Sequence, residues 1–218
     1  MSDLKVNTKM RTILFGAPGS GKGTQAIVLA EFFNLKKISL GDILRAEVKK
    51  DSELGNEVKG YMQKGELVPD SVVARVIEEN IGQEGFILDG YPRNVKQAEI
   101  LEEILQRKNS NITSVIYLDV DEEVIVKRLT KRRVCKNCNM NYHLENMPSK
   151  VEDICDLCGG ELFQRPDDNP ETIKNRWKVF IEENQKILDF YEKQGKLVKI
   201  DARGNKDDVF QRIKKKFG

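Results

Sequence analysis

What this sequence lacks narrows its class first. No run of 18 consecutive apolar residues occurs in the 218-residue chain, so a membrane-spanning helix is not expected. The opening MSDLKVNTKMRT holds no apolar stretch long enough for a secretory signal, and a cytoplasmic location is the expectation. Neither sign of charge dominates: 37 basic and 35 acidic side chains leave a formal net charge of +2. No global field draws the chain toward nucleic acid or a membrane, so any anion site has to be built locally. Histidine occurs once, at His143, where a turn or surface position is expected rather than a metal ligand. No internal repeat and no low-complexity tract is present. The balance of 39% hydrophobic and 33% charged residues is that of an ordinary globular chain, long enough for one core with small insertions.

What is present reads as alternating strands and helices. Short apolar runs at Thr12-Ile13-Leu14-Phe15, Phe86-Ile87-Leu88, Val115-Ile116-Tyr117-Leu118 and Leu197-Val198-Lys199-Ile200 predict buried strands, with Lys37-Ile38-Ser39 a weaker candidate. Ala26, Leu29, Ala30 and Phe33 fall on one helical face, and Val95, Leu101, Ile104 and Leu105 suggest a second helix. Asn169-Pro170 reads as the cap and first residue of a long helix ending at Gly195. Ile173, Trp177, Phe180, Ile181, Ile187 and Leu188 would line its inner face; Val209, Ile213 and Phe217 mark a last helix. This alternation implies an α/β fold, a parallel sheet with helices on both faces. Two stretches do not belong to that layer: residues 39–68, helical but polar and interrupted by Gly55, Gly60 and Gly65, and residues 131–168, which hold all four cysteines.

Gly16-Ala17-Pro18-Gly19-Ser20-Gly21-Lys22-Gly23-Thr24 leaves a strand and opens a helix, the context a phosphate-binding loop requires. Glycines let backbone N–H groups converge on phosphate oxygens, the helix N-terminus adds partial positive charge, and Lys22 adds a full one. Gly23 stands where most such loops carry a Ser or Thr that binds Mg²⁺, and Thr24 comes one residue late. Asp89, at a strand end, is placed to serve Mg²⁺ through water, with a helix cap or ion pair as its plainer role.

Arg45, Arg93, Arg128, Arg132, Arg133, Arg165 and Arg176 stand beside these features. Planar guanidinium forks suit a reaction that must hold two mutually repelling anions and neutralise charge in the transition state.

GAPGSGKGT, ISLGDILR, LDGYPRN, KRLTKRR and RPDDNPETIKNRW follow one another in an order that resembles the adenylate kinases with a long lid, over residues 11–218. The resemblance implies a nucleotide-binding core at 1–38, 69–130 and 169–218, a monophosphate-binding arm at 39–68 and a lid at 131–168. It implies that Gly19, Ser20, Gly21, Lys22, Gly23 and Thr24 hold ATP phosphates. Arg128 would lie against the ATP base, and Arg132, Arg165 and Arg176 would gather on the phosphates. Arg45 and Arg93 would grip the AMP phosphate, Gln97 would read its base, and Leu40, Val68 and Gly90 would complete that site. Asp89 would serve Mg²⁺, and Asp167 and Asp168 would set the lid arginines. The expected reaction is phosphoryl transfer from Mg·ATP to AMP, giving two ADP without a covalent enzyme intermediate. The protein is expected to be monomeric, with no nucleic acid or membrane partner. Leu40 departs from the family's usual Thr, which should relax discrimination among acceptors without displacing AMP as the best one.

Cys135 and Cys138 form one C-x-x-C pair, and Cys155 and Cys158 repeat it after sixteen intervening residues. Two such knuckles fit a tetrahedral zinc ion, and four thiolates leave no open position, so the metal would be structural. Two other readings share parts of the pattern. One is a kinase for UMP, CMP or GMP. The other is a nucleotide-gated protein whose four-cysteine ribbon grips nucleic acid, against which that segment carries no marked basic excess or aromatic platform.

Overall fold

The computed structural model describes residues 10–217. The first nine residues, which hold most of the stretch read for a signal and the start of the expected core segment 1–38, lie outside the described residues, as does Gly218. Chain order gives β1 (Arg11–Phe15), α1 (Lys22–Phe33), β2 (Lys36–Ser39), α2 (Leu40–Lys49), α3 (Glu53–Lys64), α4 (Asp70–Asn80), β3 (Phe86–Asp89) and α5 (Val95–Arg107). It continues with β4 (Ser114–Asp119), α6 (Glu122–Thr130), β5 (Arg132–Cys135), β6 (Asn141–His143), β7 (Leu162–Phe163), α7 (Pro170–Lys193), β8 (Leu197–Asp201) and α8 (Lys206–Phe217).

Five strands form one parallel sheet in the order β2-β3-β1-β4-β8. The two-residue period of the strands divides the core. Ile13, Phe15, Phe86, Leu88, Val115 and Tyr117 face one layer, packed under α4, α5 and α7. Leu14, Ile87, Ile116, Leu118 and Ile200 face the other, under α1 and α8. Strands buried on both faces read as continuous apolar runs, which is why β1, β3 and β4 stand out in the sequence, while the edge strands β2 and β8 carry exposed lysines. The weakest of those candidates, Lys37–Ser39, is β2 at the sheet edge, paired to β3 with Ser39 beside Asp89.

The long helix begins as its sequence requires: the Asn169 side chain accepts from the Thr172 N–H at 2.9 Å, Pro170 follows, and Gly195 closes the far end at φ 67°. One residue of its expected inner face is corrected. Ile181 is 50% exposed, because it sits at the margin of a stripe centred on Ile173, Phe180, Ile187 and Tyr191. Helices α4 and α6 leave no clear mark in the sequence; their buried apolar residues, Val72, Val73, Val76 and Ile77, and Ile125 and Leu129, are too few to stand out in short polar segments.

The segment 39–68 is the helix pair α2 and α3. Gly55 and Gly60 do not interrupt it, since both lie inside α3. Gly55 is the point of closest approach: a Cβ there would come within 2.3 Å of the Glu47 carbonyl oxygen on α2. Only Gly65 ends the helix, at φ 72°. The segment 131–168 carries the antiparallel sheet β6-β5-β7, with its own small core of Cys135, Tyr142, Cys155 and Leu162. Among the described residues no helix is long and apolar enough to cross a membrane.

Candidate functional site

One deep cleft opens at the C-terminal edge of the parallel sheet, where ligands collect in open α/β folds. β1 delivers the glycine loop to its floor. Gly16, Gly19 and Gly21 all have positive φ, at 148°, 86° and 101°. The reasons differ. A side chain at Gly16 would strike the Leu118 carbonyl oxygen at 2.8 Å, and one at Gly19 would strike Leu129 Cγ at 2.8 Å. A Cβ at Gly21 would meet nothing within 4 Å, so that residue is required for its backbone conformation and leaves open the space before α1. Lys22, the first residue of α1, folds back and donates to the Gly16 and Ala17 carbonyl oxygens at 2.7 and 2.8 Å. Gly19, Ser20, Gly21, Lys22, Gly23 and Thr24 all line the cleft. The Ser20 hydroxyl is buried there without a hydrogen-bond partner among the described residues.

The arginines reach the same cleft from separate elements. Arg45 comes from α2, Arg93 from the loop after β3, Arg132 from β5, Arg165 from the end of the four-cysteine segment and Arg176 from α7. Three carboxylates pair with them and a fourth stands close by. Asp42 takes Arg45 at 2.6 Å, Lys37 at 3.3 Å and Arg165 at 3.8 Å. Buried Asp168 receives Arg132 on both oxygens, Nε at 2.8 Å, and lies 3.9 Å from Arg176, which pairs with Asp167 at 2.9 Å. The fourth, Asp89, makes no hydrogen bond or ion pair among the described residues, and its Oδ2 lies 3.5 Å from where a Cβ on Gly23 would be.

This is a concentration of positive charge enclosed by the protein walls of the cleft. Burial, reinforced by the guanidiniums of Arg93, Arg176 and Arg132 and only partly offset by Asp89, lowers the Lys22 pKa to about 8. Arg93 is open to the water of the cleft but enclosed by protein, and burial with Arg176 and Arg45 brings it down to about 10. Arg165 falls to about 9 by burial and its proximity to Arg45 and Arg132. Asp42 moves the other way: burial opposes ionisation, yet Arg45 and Lys37 outweigh it and hold the carboxyl at about 2. Such a cluster is relieved by bound anions.

Arg128 also lines the cleft, on α6, donating to the Ser20, Ala202 and Gly204 carbonyl oxygens at 3.2, 2.9 and 3.1 Å. His143 shares this end of the cleft, where its sequence alone suggests only a turn or surface position. Its Nδ1 accepts from the Glu145 and Asn146 N–H groups, which leaves the proton on Nε2, and burial lowers its pKa. A lone histidine in a polar loop gives no periodic signal; only the β5–β6 hairpin brings it to the cleft. Asn141 arrives by the same route.

Three expected site residues are not on the cleft wall. Leu40 is 2% exposed and packs in the main core with Leu44 and Val58, where an apolar side chain gains most. Val68 joins the same cluster. Gln97 is 1% exposed, its Oε1 accepting from the Arg93 N–H at 2.8 Å and its Nε2 donating to Asp70 Oδ1 at 2.8 Å. Gly90 does line the cleft, with its carbonyl oxygen accepting from Arg93 Nε at 2.9 Å.

The four cysteines converge, with all four Sγ atoms within 4.8 Å of one another. Cys135 lies 3.5 Å from Cys158, and Cys138 3.6 Å from Cys155. A tetrahedral ion with bonds of about 2.3 Å to sulfur sets its ligands about 3.8 Å apart, so the cluster fits such an ion. The two knuckles match: the Asn139 and Gly159 N–H groups donate to the Cys135 and Cys155 carbonyl oxygens, and both residues have positive φ. Gly160 permits the close approach of the second knuckle, since a Cβ there would lie 2.9 Å from Cys135 Sγ. Tyr142 OH accepts from the Asp156 N–H at 2.8 Å, which leaves its own proton for Cys155 Sγ at 3.3 Å, the kind of outer contact that orients a metal ligand.

Comparison with known proteins agrees with this geometry. A family model described as adenylate kinase matches residues 14–196. An adenylate kinase of Bacillus licheniformis is 47% identical over 213 residues, covering 96% of this chain and 98% of that protein. One from Caldanaerobacter subterraneus subsp. tengcongensis is 45% identical over 210 residues, 94% of this chain and 95% of its own. One from Staphylococcus aureus strain Mu50 is 48% identical over 204 residues, 92% of this chain and 95% of its own.

Proposed function

The chain belongs to the adenylate kinase family and is an ATP:AMP phosphotransferase, and from that premise we propose how its residues divide the reaction. The loop amides of residues 19–24 and Lys22 hold the donor phosphates, with Arg128 and His143 against the donor base. Arg132, Arg165 and Arg176 gather on the transferring group, where negative charge must be stabilised. Arg45 and Arg93 take the acceptor phosphate, and Gln97 reads the acceptor base when AMP opens the wall in front of it. The acceptor phosphate oxygen attacks directly, so no side chain need act as a nucleophile. The reading is carried by one observation: Lys22 and six arginines from separate elements line one cleft, and among the described residues only Asp42, Asp167 and Asp168 form ion pairs with those arginines.

Magnesium bound with ATP supplies charge neutralisation across its phosphates, and unpaired Asp89 beside Gly23 is suited to hold it through water, in place of the hydroxyl that Gly23 lacks. Zinc is the ion proposed for the four thiolates, as a clip that orders a segment with few large apolar residues. Residues 39–68 and 131–168 act as arm and lid that close over the nucleotides and exclude water, so that AMP outcompetes water as acceptor. The protein is proposed to work as a cytoplasmic monomer.

Two variants test the assignment by steady-state transfer. Arg93→Ala should lower kcat/KM for AMP by roughly a hundred-fold or more, with thermal unfolding unchanged and a smaller effect on the KM for ATP. Arg132→Ala should act mainly through kcat at saturating AMP. Near-normal transfer by Arg93→Ala removes that residue from the acceptor site.

A further inference from the structure

Gln97 is an almost fully buried amide whose orientation is fixed from two sides. The Arg93 N–H can only donate, so the group facing it at 2.8 Å is Oε1. The Asp70 carboxylate can only accept when ionised, so the group facing it at 2.8 Å is Nε2. Asp70 Oδ1 also accepts from Asn94 Nδ2 at 3.2 Å, while Asn94 Oδ1 accepts from the Gln97 N–H at 2.8 Å. Asp70 Oδ2 faces Lys96, whose Nζ lies 4.0 Å away. The ring Asp70–Asn94–Gln97 therefore joins the start of α4 to the start of α5, immediately behind Arg93.

An amide carries two N–H donors and two acceptor lone pairs. Among the described residues Gln97 uses one of each, so one donor and one acceptor remain inside a side chain that is 1% exposed. The fixed order of that remaining pair carries information. An amide placed donor-to-acceptor and acceptor-to-donor matches adenine, which presents an amino N–H beside a ring nitrogen acceptor. Hypoxanthine and guanine present the reverse, a carbonyl oxygen beside a ring N–H, and would need the amide turned over. Turning it over would set an NH₂ group against the Arg93 N–H and an oxygen against the Asp70 carboxylate. We propose that Asp70 is a specificity-determining positioning residue, which locks the Gln97 amide in the orientation that accepts a 6-amino purine and rejects a 6-oxo purine. This rests on the reading of Gln97 as the residue that meets the acceptor base.

AMP and IMP are the probes, because they differ only at the purine edge in question. The readout is the ratio of kcat/KM for the two acceptors in one enzyme preparation, from which the fraction of folded protein cancels. In Asp70→Ala the ratio should fall about ten-fold or more, the scale of a lost hydrogen bond to a charged group. Asp70→Asn can still present an acceptor oxygen to Nε2 and should retain most of the ratio. Gln97→Ala is measured alongside. If Gln97→Ala collapses the ratio and Asp70→Ala does not, the lock is refuted while the reading of Gln97 stands. If Gln97→Ala leaves the ratio unchanged, Gln97 does not read the base and the lock has nothing to act on. A merely structural Asp70 would lower both values of kcat/KM together and leave their ratio where it was.

Discussion

Replacing Asp168 by asparagine sets two effects of opposite sign against each other. Asp168 is 1% exposed and receives both forks of the Arg132 guanidinium, with Arg176 3.9 Å from one of its oxygens. Asparagine keeps the volume but removes the charge and turns an NH₂ group toward one donor. The freed arginine is then a stronger attractor for phosphate, so ground-state binding of ATP should hold or tighten. Its direction, however, is lost. A hydrogen bond to a charged group contributes about 1.5–3 kcal/mol, and Arg132 would lose at least one that fixes its geometry. With each 1.36 kcal/mol worth ten-fold in rate, kcat should fall roughly ten- to hundred-fold. The full penalty for orphaning a buried charge, about 3–5 kcal/mol, does not apply, because Arg132 keeps 17% of its side-chain surface open and phosphate can take the vacated place. Initial rates of ADP formation over a grid of ATP and AMP concentrations separate the two effects. A kcat within about two-fold of the native value would refute the orienting role. So would a loss that lies wholly in a raised KM for ATP.

Two further outcomes follow from the same geometry. With its free-enzyme pKa near 8, Lys22 should take up a proton as phosphate binds and restores its higher value. ATP affinity should therefore fall about ten-fold between pH 7 and 9. Calorimetric titration in buffers of different ionisation enthalpy reads the proton, and Lys22→Arg, which stays charged, should abolish its uptake. Metal analysis of protein purified without added zinc should give one ion per chain. Chelation should loosen residues 131–168 in hydrogen exchange while the parallel sheet stays protected, and freely reactive native thiols with no bound metal would refute the site.

Local pattern in the residues is enough to read the layers and much of the chemistry. Apolar runs mark β1, β3 and β4 because these central strands are buried on both faces and can carry no polar alternation, whereas the edge strands β2 and β8 keep exposed lysines and give a weaker pattern. The phosphate loop, the Asn169-Pro170 helix start and the paired C-x-x-C knuckles were legible for the same reason: each is a local requirement, met by residues a few positions apart. Helices α4 and α6 escaped because short helices with four or two buried apolar residues hardly rise above a polar background. Which residues meet depends on the folded chain. Asp168 reaches back 36 residues to Arg132, and Asp70 reaches 27 residues forward to Gln97. His143 turns from a loop histidine into a cleft residue through strand pairing, and Leu40, Val68 and Gln97 turn from wall to interior. Side-chain charge and hydrogen-bonding capacity are properties of single residues, whereas desolvation, pairing and orientation depend on neighbours that only the folded chain supplies.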